Sequence, residues 1–291
     1  MSSTFPTDLK MQAKLARRSL RRTAQLIRYH RTSLEGVPLL FANSFPKSGT
    51  HLLTQILEAF PQIGPAVNSG LPAIVTFNGE TGVERTPDDI LGELHRLRPG
   101  DIAFGHLHAQ PAIIQQLCQE GCAPYFILRD PRDVVVSHVY YLTDMAAGHV
   151  HHAFYSQELH TFDERLQTSI RGLSAGPVPF PDIADRFLPY LGWLQQPEML
   201  CLQYEKLVND TQIQLSRILE HAVRRGFPSC VPQPQAVEIL AQAIDPSRSP
   251  TFRSGKTGGW KEKFTPAAKA LFKQVAGDLL IQLGYEQDYD W

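Results

Sequence analysis

Short apolar runs alternate along the chain with longer segments whose apolar residues recur at helical spacing. The runs that predict strands cover residues 37–45, 101–106, 125–128 and 198–204. The first leads through a Pro-Lys-Ser-Gly turn into a helical pattern, and the third leads into a helix that we expect to begin at Pro131 with Asp130 as its N-cap. Such alternation predicts a single α/β domain, with a central, mainly parallel β-sheet flanked by helices on both faces.

The stretch from residue 145 to residue 181 has the weakest periodicity in the chain. It contains the run Gly-His-Val-His-His and a Pro-rich run. Long irregular loops inside compact domains often serve a function, so we predict a mobile loop over a site here. Residues 205–223, by contrast, keep a helical spacing and predict a helix.

Residues 1–34 form a basic amphipathic segment that we separate from a main domain at 35–291. The segment has eight basic residues and one acidic residue, Asp8, so its net charge is +7. Because the whole chain has a net charge of −1, the remaining residues carry −8. On a helix the cations from Lys10 to Arg28 share one half of the wheel, and the other half carries Leu9, Ala16, Leu20, Leu26 and Ile27. Four roles are consistent with this pattern. The segment could be a helix docked on its own domain, a site that attracts a polyanion, a transit peptide, or a peripheral contact of residues 10–31 with an anionic membrane.

Composition narrows the class of protein. The chain has 291 residues, of which 43% are hydrophobic, enough for one large core. We expect no membrane span, because no run of about 18 apolar residues occurs. Four cysteines do not make a disulfide framework or a paired zinc motif, and the N-terminus lacks the apolar core of a signal peptide. We therefore expect a cytoplasmic protein.

The turn at residues 46–50 has the chemistry of a phosphate-binding loop. The first turn of a helix leaves backbone N–H groups unpaired, and the helix dipole adds positive potential there. Gly49 permits close approach of a ligand, Lys47 supplies a cation, and the hydroxyls of Ser48 and Thr50 can donate to phosphate oxygens. The loop of kinases and nucleotide triphosphatases fits poorly, because Pro46 stands where that motif has the glycine before its lysine.

The turn instead resembles the 5′-phosphosulfate loop of the sulfotransferase family, P-K-[ST]-G-T-T-W. Here His51 replaces a threonine and Leu52 replaces the tryptophan. Residues 126–141 are similar to the family's 3′-phosphate motif, in which Arg129 and Ser137 would hold the phosphate. Residues 252–266 resemble its R-K-G-x-x-G-x-W-K signature, which places Phe252, Arg253, Ser254 and Gly255 at the nucleotide and Trp260 in packing. More weakly, Tyr204 matches a tyrosine on the adenine side.

This resemblance implies a P-loop-like nucleotide-binding architecture with 3′-phosphoadenosine 5′-phosphosulfate as the sulfuryl donor and without a metal. Lys47 would stabilise the leaving phosphate, and Lys47, Ser48, Gly49, Thr50, His51 and Leu52 would line the donor site. The acceptor would be a small molecule or a lipid, and no nucleic-acid partner is expected. The family's dimer motif is only half present, since Lys261 and Thr265 match and Pro266 and Ala270 do not, which leaves the oligomeric state open.

A general base would complete the transfer by taking a proton from the acceptor hydroxyl or amine. The family places this histidine in K-T-H-L-P, and residues 103–111 share the His-Leu step at His106. His108 lies on the same face of an extended segment and stays an alternative. His149, His151 and His152 lack the ligand spacing of a metal site. A kinase-like phosphotransferase and a non-catalytic nucleotide-binding or membrane-docking module remain alternative functions.

Overall fold

A six-stranded parallel sheet forms the centre of the protein. The computed structural model describes residues 5–175, 178–248 and 255–291, with side chains from residue 9 onward. Strand order is β2-β6-β1-β7-β8, with β3 also paired to β6, and β4 and β5 form a separate antiparallel hairpin. The strands are β1 Leu39–Ser44, β2 Val67–Asn68, β3 Ile74–Val75, β4 Phe77–Asn78, β5 Val83–Glu84, β6 Asp101–His106, β7 Cys122–Leu128 and β8 Leu200–Gln203.

Helices pack on both faces of this sheet, as the alternation of patterns predicted. They are α1 Phe5–Arg28, α2 Thr50–Leu57, α3 Pro87–Leu94, α4 Pro111–Cys118, α5 Pro131–Tyr140, α6 Phe162–Arg171, α7 Ile183–Leu191, α8 Tyr204–Asn209, α9 Thr211–Arg224, α10 Gln233–Gln242 and α11 Pro266–Gln282. Two π-helical turns, Tyr141–Met145 and Phe154–Glu158, follow α5. Helices α3–α7 and α11 cover one face, and α2 and α8–α10 cover the other.

Each central strand contributes side chains to two separate cores. Along β1, Leu40 and Ala42 enter the core under α2, and Phe41 enters the core on the opposite face. Successive side chains of a strand point to opposite faces, so a parallel sheet covered on both sides needs apolar residues at every position. This requirement explains why the strands appear in the sequence as continuous apolar runs.

Several sequence predictions are confirmed and two are wrong. Helix α5 begins at Pro131, and the Asp130 side chain accepts a hydrogen bond from the backbone N–H of Arg132 at 2.9 Å. The stretch at 145–181 is more regular than predicted, because it contains α6, which begins at a capping box between Thr161 and Glu164. The single helix predicted at 205–223 is two helices, α8 and α9, which meet at Asp210.

Helix α1 packs against the domain through its basic side. The Arg18 guanidinium, which is buried, and that of Arg22 both donate to the buried Asp101 carboxylate, at 3.2 and 2.9 Å. Arg21 donates to the carbonyl of Asn68 at 3.1 Å. None of the helices in the described part of the chain is long and apolar enough to cross a membrane.

Candidate active site

The carboxyl ends of neighbouring strands bring distant parts of the sequence together. Strands β6, β1, β7 and β8 are adjacent and parallel, so the residues that follow them meet at one edge of the sheet. In open α/β sheets this edge is the usual place for ligands. A cleft of about 1250 Å³ lies there. It is lined by the loop after β1 and by Arg129, which directly follows β7.

Ten of the predicted site residues line this one cleft. They are Lys47, Gly49, Thr50, His51, Leu52, His106, Arg129, Ser137, Tyr204 and Gly255. Ser48 is fully buried and is absent from the described lining, and its backbone N–H donates to the Phe45 carbonyl at 3.2 Å. Its hydroxyl has no hydrogen-bond partner among the described residues, so its contact with the donor stays a prediction. Phe252, Arg253 and Ser254 lie outside the described residues, so their predicted contact with the nucleotide stays a prediction.

The loop between β1 and α2 has the backbone of an anion-binding turn. Lys47 and Gly49 adopt left-handed conformations, with φ of 68° and 98°, and Gly49 is the N-cap of α2. A Cβ atom on Gly49 would lie 2.5 Å from Cδ2 of Tyr204, so this position has no room for a side chain. The turn therefore presents the unpaired N–H groups of the first turn of α2 to the cleft.

Lys47 is held in the cleft without a carboxylate partner among the described residues. Its Nζ atom lies 4.0 Å from the centre of the Tyr141 ring, a cation–π contact. Burial lowers the pKa of Lys47 to about 8, and the Arg129 guanidinium contributes in the same direction. A partly desolvated ammonium beside a second cation gains strongly from a bound anion.

Arg129 forms the second cationic position. Its Nη2 donates to the Lys256 carbonyl at 2.8 Å and to the Asp133 carboxylate at 3.3 Å, and its guanidinium lies 4.6 Å from the centre of the Tyr204 ring. Its Nε is buried and has no hydrogen-bond partner within the described residues. A buried guanidinium nitrogen without an acceptor is costly, and an anionic oxygen would remove that cost.

Asp133 joins Arg129 to the C-terminal loop. Besides the guanidinium, its carboxylate accepts hydrogen bonds from the backbone N–H groups of Gly258 at 2.8 Å and Trp260 at 2.9 Å. The Trp260 ring is buried against the Arg132 guanidinium, as expected for a residue that packs the loop onto the body. Asp133 thus connects two segments that are distant in sequence and face one ligand site.

Tyr204 is a packing residue at the centre of the cleft wall. It begins α8, one residue after the end of β8, whereas the sequence predicted the end of a strand. Its hydroxyl donates to the Gly255 carbonyl at 3.1 Å, its ring contacts Gly49, and it is 7% exposed. The ring therefore holds the loop after β1, Arg129 and the C-terminal loop at fixed separations.

Hydrogen bonds set the tautomer of His106, which ends β6. Its Nδ1 atom lies 3.1 Å from the Ser44 carbonyl oxygen and 3.0 Å from the Ser44 hydroxyl. A carbonyl oxygen can only accept, so we assign the proton to Nδ1, and in this tautomer Nε2 is an unprotonated acceptor. The Asn43 amide pairs with both backbone polar groups of Leu107, at 2.8 and 3.0 Å, which fixes the chain just after the imidazole.

His106 is therefore neutral and available as a base in the ligand-free protein. The pKa of His106 is lowered to about 4, chiefly by burial; the hydrogen bond to the Ser44 carbonyl opposes this shift, and Lys47 and His51 contribute to it. His51 also has a pKa below its usual value, through burial and the Lys47 charge.

His108 occupies a different environment, although it lies only two residues further along. Its Nδ1 is 3.5 Å from a Glu84 carboxylate oxygen, and its ring packs edge-on against Tyr190. It is not among the described residues that line the cleft. The geometry therefore favours His106 over His108 as the group that faces a reacting acceptor.

The remainder of the cleft is largely apolar and aromatic. Its wall includes Phe77, Phe104, Tyr141, Met145 and Tyr190. Tyr155, which is close to Tyr141 in sequence, does not line the cleft and is fully buried in the core.

The histidines of residues 149–152 do not assemble into a metal site. His149 lines the cleft and packs 5.2 Å from the His151 ring, and His151 hydrogen-bonds to the Val178 carbonyl. Within residues 5–175, 178–248 and 255–291, no group of three or more His, Cys, Asp or Glu side chains could hold a metal ion.

Sequence reasoning missed Asn43, Ser44, Asp133 and Tyr141. A signal was available for the first two, since polar residues at the end of an otherwise apolar, buried strand require hydrogen-bond partners. Asp133 stands four residues after Arg129, a helical spacing that brings side chains together. Nothing in the sequence linked Tyr141 to Lys47, because that contact joins two different elements.

The fold and the site define a class of α/β protein with two cationic positions and a buried histidine in one cleft. The family model described as the sulfotransferase domain matches residues 39–223, well over half of the chain. The chain belongs to the sulfotransferase family and is an enzyme of that class. With the family established, the alternative of a kinase-like loop is set aside.

Individual relatives are distant in sequence but similar over most of their length. Sulfotransferase 1 family member D1 of Rattus norvegicus is 24% identical over 260 residues, 81% of each chain, and sulfotransferase 1E1 of Homo sapiens is 21% identical over 79% of each chain. Mouse sulfotransferase SULT7A1, solved with PAP, has a TM-score of 0.57 at 19% identity, over 84% of each chain. Retinol dehydratase, solved with androsterone and PAP, has a TM-score of 0.54 at 16% identity, over 83% of this chain and 80% of that one. These likenesses establish the shared fold.

Proposed function

We propose that this protein transfers the sulfuryl group of 3′-phosphoadenosine 5′-phosphosulfate to a hydroxyl or amine of a small, largely apolar acceptor, with His106 as general base. The observation that carries the proposal is that Lys47, Arg129, Ser137 and His106 line one cleft. Had the two cations lain on opposite sides of the molecule, no single adenosine bisphosphate could contact both. Unpaired Cys118, Cys122, Cys201 and Cys230 support a reducing, cytoplasmic setting.

The residues present fit such a donor. Arg129 has a buried Nε without an acceptor among the described residues, and Lys47 has a desolvated ammonium without a carboxylate. Both features are unfavourable in the free protein and are relieved by an anion. Arg129 and the hydroxyl of Ser137 would hold the 3′-phosphate, and the turn at Lys47–Leu52 would hold the 5′-phosphosulfate. When bound, the donor supplies an activated sulfuryl group on a phosphate leaving group.

The chain's own groups then act on charge and on one proton. The acceptor oxygen or nitrogen forms a bond to sulfur in line with the breaking bond between sulfur and the 5′-phosphate oxygen. The Lys47 ammonium neutralises the negative charge that develops on that leaving oxygen, in a site where burial strengthens the interaction. No metal is needed for this role, because the cation is already part of the loop.

His106 would take the acceptor proton at Nε2. The Nδ1–H group stays on the Ser44 carbonyl, which keeps the ring oriented while the imidazolium forms. Release of a proton to this base matters because an alcohol is a poor nucleophile until it begins to lose its proton, and such assistance is typically worth about 10²- to 10⁴-fold in rate. The aromatic wall with Phe77, Phe104 and Tyr190 would hold the apolar body of the acceptor.

Donor class is tested by calorimetric titration of the full chain. We expect 3′-phosphoadenosine 5′-phosphate to bind equally well with and without Mg²⁺, and more tightly than ATP under either condition. A preference for ATP with Mg²⁺ would contradict the donor assignment and favour phosphoryl transfer.

The base is tested by paired histidine variants. Transfer of radiolabelled sulfuryl groups to para-nitrophenol, an arylamine and an aliphatic alcohol is measured for His106→Ala and, as matched control, His108→Ala. We expect His106→Ala to lose about 10²- to 10⁴-fold in turnover and to keep its affinity for the bisphosphate, with His108→Ala near wild type. Equal losses in both variants, or none in His106→Ala, would rule out His106 as the base.

A further inference from the structure

Helix α1 is anchored to the domain by Arg18 and Arg22, and by Leu26, which packs against the core, and it turns a separate row of apolar residues to solvent. Arg18 is 4% exposed and, with Arg22, donates to the fully buried Asp101 carboxylate. Leu9, Leu20 and Ile27, by contrast, are 72%, 72% and 71% exposed. A surface helix ordinarily turns its apolar residues towards the core, so an additional row of apolar residues on the solvent side is unusual.

The exposed apolar residues form one continuous stripe. At about 100° per residue, Leu9, Leu20 and Ile27 fall within about 20° of one line along the helix, and exposed Ala13 and Ala24 lie beside them. With a rise of about 1.5 Å per residue, the stripe is about 27 Å long. Isolated exposed apolar side chains are normal, but an aligned row on one helix indicates a binding surface.

Cations border this stripe along one edge. Lys10, Arg17 and Arg28 are all exposed there, and the other edge carries the uncharged polar residues Gln12, Ser19 and Thr23. Between Asp8 and Glu35 the sequence contains no acidic residue. An apolar stripe bordered by cations, without carboxylates, is the arrangement by which a helix lies in the surface of an anionic bilayer.

We propose that the stripe of α1 and its bordering cations, which we call the α1 docking surface, bind the surface of an anionic lipid bilayer. A second copy of this chain is a poorer occupant, because its stripe offers no carboxylate to these cations, and an antiparallel two-fold contact would set the cations of the two copies against each other. The ion pairs from Arg18 and Arg22 to Asp101 keep the helix on the domain, so the whole enzyme would dock with it.

The helix that carries the docking surface also contacts the segment that leads to the cleft. Arg21 of α1 donates to the Asn68 carbonyl, and the chain from there continues to Pro72 and Ala73, which line the cleft. The docking proposal does not depend on the reaction catalysed.

Vesicle sedimentation of the full chain tests the proposal. We expect binding to phosphatidylcholine vesicles that contain about 30% phosphatidylserine, at least about tenfold weaker binding to pure phosphatidylcholine, and loss of binding at high salt. One variant removes the stripe, as Leu9→Gln, Leu20→Gln and Ile27→Gln together. A second variant removes the bordering cations by combining Lys10→Gln, Arg17→Gln and Arg28→Gln.

Each variant should bind the anionic vesicles at least about tenfold less, with unchanged thermal stability and unchanged bisphosphate affinity. The matched control is Leu188→Gln with Ile213→Gln, which removes comparably exposed apolar side chains elsewhere and should bind like wild type. Equal binding of all variants overturns the proposal. A wild-type dimer in light scattering that the stripe variant converts to a monomer also overturns it, and assigns the surface to a second copy.

Discussion

The lowered pKa of Lys47 predicts that affinity for the adenosine bisphosphate falls steeply above about pH 8. An ordinary lysine keeps its charge to about pH 10, whereas burial and the Arg129 cation bring the pKa of Lys47 to about 8. Because the folded pKa is lowered, the ammonium is present below about pH 8 and is lost as the pH rises through that value. The 5′-phosphate then loses its full positive partner.

The magnitude follows from the fraction of Lys47 that is charged. With a pKa of about 8, that fraction is about 90% at pH 7 and about 10% at pH 9, so affinity should fall roughly tenfold over this interval if only the ammonium form binds well. A lysine with its usual pKa would give almost no change. The ligand contributes little, because its phosphates have second pKa values of about 6 and are already dianionic above pH 7.

Calorimetric titration at constant ionic strength measures this profile, with proton uptake obtained from buffers of different ionisation enthalpy. Lys47→Arg is the matched control, since a guanidinium stays charged throughout and should flatten the profile. Lys47→Met should bind weakly at every pH. A wild-type affinity that is constant from about pH 7 to about pH 9, or an equal fall in Lys47→Arg, would refute the reasoning.

Three further predictions concern the supports of the site. Gly49→Ala should lower the free energy of unfolding by about 1–3 kcal/mol, because a Cβ at φ 98° is strained and meets the Tyr204 ring. Gly92→Ala is the control and should not destabilise the protein, because a Cβ there would have no atom within 4 Å. Chemical denaturation measures the free energy of unfolding of both variants. Asp133→Asn keeps one acceptor oxygen and should leave one backbone N–H of the C-terminal loop, that of Gly258 or of Trp260, without its acceptor, at a cost of about 1–3 kcal/mol. In calorimetry it should weaken binding of the bisphosphate but not of adenosine 5′-phosphate, and equal weakening of both would contradict its role. Asp101→Asn should lower the free energy of unfolding by about 3–5 kcal/mol, because it leaves the guanidiniums of Arg18 and Arg22 without their carboxylate partner. An unchanged thermal unfolding curve would argue against Asp101 as the anchor of α1.

The local patterns of the sequence were enough to place most of the fold and the site. Strand β6 covers Asp101–His106, as the apolar run predicted, and Asp130 caps α5. Gly49, Lys47 and Arg129 were found because a strand end, a short polar turn and a helix start are adjacent in sequence. Parallel strands then bring such turns to one edge, so the position of the cleft followed from the fold class.

Contacts between distant residues were beyond the reach of those patterns. Periodicity shows that α1 has two faces, but the buried partner of Arg18 is Asp101, 83 residues away, and that partner turns Arg18 and Arg22 inward while other cations of the helix stay exposed. Likewise His106 and His108 lie two residues apart on one extended segment, and contacts with other elements distinguish them: the Ser44 carbonyl for His106, and Glu84 and Tyr190 for His108. The sequence determines which residue types can meet, because local geometry follows from the chain itself. The tertiary structure alone decides which of them lie across from one another, because burial and hydrogen bonding depend on neighbours from other elements.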